Sequence, residues 1–99
     1  MKTIRRLPPL EVLDHLFDYN PRTGELLWRV KTSQRTNIGD VAGYINKKDN
    51  QRMICVHSTY YSATRIAWCL FHKEDPFGKK IYHKDGNPLN NSIDNLECI

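Results

Sequence analysis

A chain of 99 residues is the size of one domain that can bury a modest core without disulfides or structural metal. Its 15 Lys and Arg against 11 Asp and Glu leave it weakly basic at +4, which suits an anionic partner. The first residues, MKTIRRLPPLEVL, hold no apolar run of signal-peptide length, and nowhere do 18 apolar residues follow one another, so the expectation is a soluble cytoplasmic chain with no membrane partner. Three widely spaced cysteines, Cys55, Cys69 and Cys98, argue against a disulfide framework and for a reducing compartment.

Taken in order, Pro8 and Pro9 suit a helix start, and Leu10, Leu13, Leu16 and Phe17 then recur at helical spacing, predicting a short amphipathic helix through Phe17. Asn20 to Gly24 is dense in turn formers, and Glu25 to Val30 is rich in strand-favouring residues. Residues 31–40 are polar and aperiodic, as in a surface loop or basic arm. Three short antiparallel strands follow, at Ala42 to Asn46, Arg52 to His57 and Tyr60 to Ser62, with turns at Lys47 to Asn50 and at Ser58-Thr59. Ala63 to His72 reads as a helix with Ile66, Ala67, Cys69 and Leu70 on one face, stopped by Asp75-Pro76 and Gly78. Lys79 to His83 and Leu96 to Ile99 read as strands joined by a long asparagine-rich loop that opens with an Asp85-Gly86 turn. The predicted class is α+β: an N-terminal helix, a small antiparallel sheet with a packed helix, and a terminal hairpin. All of it forms one domain over 1–99, divided into 1–30, 41–75 and 79–99.

The positive charge is concentrated. Between Trp28 and Lys73 stand eight basic residues (Arg29, Lys31, Arg35, Lys47, Lys48, Arg52, Arg65 and Lys73) against the two acidic residues Asp40 and Asp49, an excess of six. Tyr44, Tyr60, Tyr61 and Trp68 are interleaved with them, adding flat surfaces to charge, which fits contact with phosphates and bases. Arg29, Lys31, Arg35, Lys47, Lys48, Arg52 and Arg65, with Lys84 further on, are the candidate nucleic-acid-binding residues, a solvated basic face being the plain alternative.

The fourteen residues His83-Lys-Asp-Gly-Asn-Pro-Leu-Asn-Asn-Ser-Ile-Asp-Asn-Leu96 carry the strongest motif. They resemble the core of phage-type HNH endonucleases, whose "DHxDGNxxNNxxxNL" forms the hairpin of a ββα-metal nuclease site. The segments "LFDYNPRTGELLWR", "GDVAGYIN" and "ATRIAW" extend that resemblance, in order and spacing, to the layout of small phage HNH proteins of the homing-endonuclease type. The resemblance implies a DNA partner. It also implies His83 as the general base, a role imidazole suits because it exchanges a proton near neutral pH. By the same resemblance Asn95 ties the loop together and helps orient the histidine, and Arg65 matches the arginine of the family's "HR", bonding a phosphate or bracing the hairpin. Mg²⁺ or another divalent ion is the cofactor implied for an active member.

Three positions depart from the family pattern. Tyr82 stands where a metal-binding carboxylate precedes the base, and a neutral phenol is a poor ligand for a hard cation. The second ligand position falls beyond Ile99, on a final helix that this sequence lacks, and Thr64 replaces the usual histidine before Arg65. Asp85 is the one candidate substitute ligand, although its Asp-Gly turn already accounts for it. Cys69-x-x-His72 with Cys55, His57 or Cys98 is a weak zinc pattern, because Cys69 sits on the apolar helix face. The expectation is a DNA-binding relative of HNH nucleases with a degenerate site, acting on DNA or on a host protein such as a nuclease or polymerase. The alternative is an active metal-dependent enzyme that nicks or cleaves DNA.

Overall fold

The structure, a computed structural model, describes residues 6–32, 34 and 36–99. Arg35, one of the candidate DNA-binding residues, lies outside the described residues.

Helix α1 spans Leu10–Leu16, with Pro9 as its N-cap and the amides of Val12 and Leu13 donating to the Pro9 carbonyl. It stops one residue earlier than its periodicity predicts. Phe17 is extended and opens strand β1 (Phe17–Tyr19), which pairs antiparallel with β2 (Leu26–Trp28) so that Phe17 lies opposite Trp28. Their rings meet at 4.8 Å between centroids. That aromatic contact, together with full burial of Phe17, outweighs the helical preference of one terminal residue. The link between β1 and β2 is the predicted turn: Asn20 Oδ1 accepts from the amides of Arg22 and Thr23, and the Gly24 amide donates to the Asn20 carbonyl.

Strands β3 (Tyr44–Asn46), β4 (Gln51–Val56) and β5 (Thr59–Ser62) form the antiparallel sheet in the order β3-β4-β5. The β4–β5 turn is made by His57 and Ser58, both at positive φ (49° and 66°), one residue before the predicted Ser58-Thr59 connection. Two positive φ values in a two-residue hairpin match the right-handed strand twist. Alternation sends Ile54 and Val56 into the core, while Tyr44, Cys55 and Tyr60 face outward.

Helix α2 spans Ala63–His72, as predicted, and buries Ala63, Thr64, Ile66, Ala67, Cys69 and Leu70. It packs on β4, on α1 and on the 3-10 turn Ile93–Asn95. Its end is set by Lys73 in the left-handed conformation (φ 59°), and no glycine occupies the cap. The core joins Leu13, Phe17, Leu26, Ile54 and Ile66, each at most 2% exposed and each contributing about 1.5–3 kcal/mol by leaving water. Finally β6 (Ile81–His83) pairs with β7 (Leu96–Cys98), with His83 opposite Leu96. The chain is thus α+β, with its antiparallel pairing divided among three small sheets.

Candidate functional site

The loop between β6 and β7 is held by its own amides. Asn95 is the hub: its Oδ1 accepts from the Asp85 amide at 2.9 Å, and its Nδ2 donates to Asp85 Oδ1 and to the Asn90 carbonyl, both at 2.9 Å. Asp85 also accepts from the Asn87 amide and from Asn90 Nδ2, both at 2.8 Å. These donors, Asn90 foremost, then Asn87 and Asn95, hold the Asp85 carboxyl below the usual carboxylate range. Gly86 (φ 76°) closes the turn with its amide on the His83 carbonyl. Asn95 therefore ties the loop, and none of its side-chain bonds among the described residues reaches the His83 ring.

The ring is held by residues that the sequence did not mark for this role. His83 Nε2 lies 3.1 Å from Thr64 Oγ1 and 3.0 Å from Asn91 Oδ1, and the Thr64 hydroxyl donates to Asn91 Oδ1 at 2.6 Å. Thr64 and Asn91 are buried, whereas His83 is half-buried. One signal was present. Thr64 precedes Ala67 by three residues on the apolar face of α2, and a polar group on a buried face requires a partner. Asn91, 27 residues away, gives no local signal of being that partner.

The N-terminal turn supports this triangle from behind. Tyr19 donates its phenol to the Asn91 carbonyl at 2.6 Å, and the Ile93 amide donates to the Pro21 carbonyl. Burial, with a further contribution from Asp94, pushes the Tyr19 hydroxyl up to about 12, so it remains a donor throughout the ordinary pH range. Gly24 (φ 82°) lies against the Asn91 and Ser92 backbone so closely that a Cβ would collide with it, 2.8 Å from the Asn91 Cα.

His83 opens on a cleft of about 270 Å³ whose walls are Gln51 and Ser62 from the sheet, Thr64 and Arg65 from α2, Ile81 and Tyr82 from β6, and Lys80 just before it. Arg65 is braced there: Nη1 donates to the Lys79 carbonyl at 2.9 Å and Nη2 to the Pro76 carbonyl at 2.7 Å. Lys84 follows His83 and is exposed; Lys47 and Lys48 are exposed on the turn that leads into Gln51, so they border the same end of the sheet. The other described candidates do not line this cleft. Arg52 donates to the carbonyls of Ala42 and Gly43, Lys31 donates to the Thr36 carbonyl, and Arg29 lines a separate groove with Asp14 and Asp18.

The donor set does not fit a divalent ion. Tyr82 supplies a neutral phenol, both Asp85 oxygens are occupied by loop amides, and among the described residues no three His, Cys, Asp or Glu side chains gather as a metal site. The zinc pattern is likewise dispersed, with Cys69 in the core and Cys55 on the outer sheet face.

A family model described as HNH endonuclease matches residues 61–99, from β5 through α2 and β7, the part of the chain that builds this histidine-centred cleft. Residues 61–99 are thus similar to HNH endonucleases, a likeness that suggests a nuclease-like, DNA-binding ancestry. No curated protein and no solved structure gives a match. Among the described residues no helix is long and apolar enough to cross a membrane.

Proposed function

We propose that this chain is a phage-type HNH-like protein that binds DNA in the host cytoplasm and whose nuclease site is degenerate. The observation that carries the reading is the cleft itself. Its histidine and cationic rim are in place, with Arg65 and Lys80 on its walls, while the Asp85 carboxylate two residues from His83 is committed to the loop. Such a site receives a phosphate backbone without a built metal centre. Lys47, Lys48 and Lys84 extend the positive rim, and occupancy of DNA or of a host protein at that rim is the function supported. Retardation of duplex DNA across a salt series tests the reading: affinity falls as salt rises, with a logarithmic slope of about one for each phosphate that the rim neutralises, and absence of binding at low salt refutes it.

A second reading, an active divalent-ion-dependent nuclease, is favoured by one specific feature. His83 Nδ1 has no partner among the described residues, so a ring nitrogen remains available for general-base chemistry, with Asn95 shaping the loop behind it. Supercoiled plasmid incubated with Mg²⁺, Mn²⁺ or EDTA separates the two. Metal-dependent nicking that disappears in His83→Ala establishes the nuclease, and intact plasmid in every lane, with retardation of the same DNA, favours the binding protein.

A further inference from the structure

The hydrogens in the Thr64, Asn91 and His83 triangle can be counted. Three atoms meet pairwise: Thr64 Oγ1, Asn91 Oδ1 and His83 Nε2. A carboxamide oxygen carries no hydrogen and can only accept. The threonine has one hydrogen, and the 2.6 Å separation from Asn91 Oδ1 is that of an O–H···O bond, shorter than the range of about 2.7–3.2 Å for N–H···O. Turning the amide so that Nδ2 faced the hydroxyl would leave that contact too short. With its hydrogen committed to Asn91, Thr64 Oγ1 can only accept from the ring. Both contacts to Nε2 thus require a hydrogen on Nε2.

We propose that Thr64 and Asn91 are positioning residues that lock His83 as the Nε2–H tautomer, leaving Nδ1 as the one ring nitrogen able to accept a proton from a hydroxyl or water in the Arg65 and Lys80 cleft. Relative to the other tautomer, one Nδ1–H bond is exchanged for one Nε2–H bond by way of solvent, with no net proton gained or lost, and the Nε2 hydrogen is shared between two buried acceptors. Both acceptors are fixed from outside the hairpin. Thr64 sits in the first turn of α2, and the Asn91 backbone is clamped by Tyr19 and Gly24. The threonine that replaces the family's histidine at this position thereby keeps a role at the site. The lock stands on this geometry alone, whereas the role of Nδ1 rests on the reading of the cleft as a DNA site.

Nitrogen-15 NMR of the full chain in mildly alkaline buffer, with the ring neutral, reads the tautomer directly, and His15, His57 and His72 serve as internal references. The expected result is a protonated, pyrrole-type Nε2 on His83 with about a tenfold excess over the other tautomer, the order that one or two buried hydrogen bonds sustain. A predominant Nδ1–H form in the unmodified protein overturns the proposal, whatever any variant does. Asn91→Leu removes the acceptor for the threonine hydrogen, which then turns to Nε2 and raises the Nδ1–H population several-fold; Thr64→Ser keeps the hydroxyl and the original tautomer. An unchanged tautomer in correctly folded Asn91→Leu also overturns the lock. Adding duplex DNA to the unmodified protein separates the two halves. A shift at Nδ1 with Nε2 unmoved supports both; no shift at either nitrogen overturns the role of Nδ1 and leaves the lock standing.

Discussion

Gly24 lies against the backbone of Asn91, so the turn after the first strand forms the floor of the loop that carries the site. The contact joins segments far apart in sequence and depends on the absence of a side chain. Gly24→Ala meets two obstacles, a left-handed φ of 82° and a Cβ inside the Asn91 backbone. We expect it to cost about 2–4 kcal/mol in chemical denaturation. It also displaces Asn91 from His83, visible as a change in the His83 ring resonances in whatever fraction remains folded. A destabilisation below about 0.5 kcal/mol would show that the two segments do not press together.

Asp85 gives a pH prediction. Its carboxyl is held low first by Asn90, then by Asn87 and Asn95, so the unfolded chain takes up the proton at higher pH than the folded one. The stabilisation is therefore complete above the unfolded carboxylate value of about 4 and is lost as pH falls through the lower folded value. Carbon-13 titration is expected to place the Asp85 midpoint below that of an unstructured aspartate. Faster exchange of the Asn87 amide should accompany protonation. A midpoint at the ordinary value would mean that the amide cage is not formed.

Lys73 ends α2 in a conformation that costs an L-residue about 1–2 kcal/mol, less the greater entropy a glycine loses on folding. Lys73→Gly is expected to raise stability by about 0.5–1 kcal/mol and to raise the melting temperature by a few degrees. A lower melting temperature would assign the lysine a compensating interaction with the acidic groove it shares with Asp14 and Asp18.

The three thiols should separate by rate. Cys55 is exposed on the sheet, Cys98 is half-buried, and Cys69 is in the core, its thiol pushed up by burial and by Asp75 against the opposing effect of Lys73. Because the thiolate is the nucleophile, iodoacetamide should modify Cys55 first and Cys69 last. Rapid reaction of Cys69 in the folded protein would contradict its placement in the core.

These elements were unequally legible in the sequence. Helix α2 was read to the residue because its apolar face, its strand before and its proline after agree. The end of α1 was misread because Phe17 fits a helical period, and only Trp28, eleven residues on, draws it into a strand. His83 and Asn95 could be picked out from the motif, but the partners of the ring could not, since Thr64 and Asn91 reach it from other elements. Charge counting likewise could not place the basic residues: composition records that Arg52 and Lys31 are cationic, but not that they bond backbone carbonyls.

The clamp of Tyr19 and Gly24 on Asn91 has a temporal consequence. A bond spanning 72 of the 99 residues closes a long loop, a slow kind of contact to gain during folding because its closure entropy comes before any reward. The hairpin by itself has only two short strands, too few to persist in water. The clamp thus closes after the helices and first strands have met, and later than the contacts of His83 with Thr64 and Asn91, which span only 19 and 8 residues.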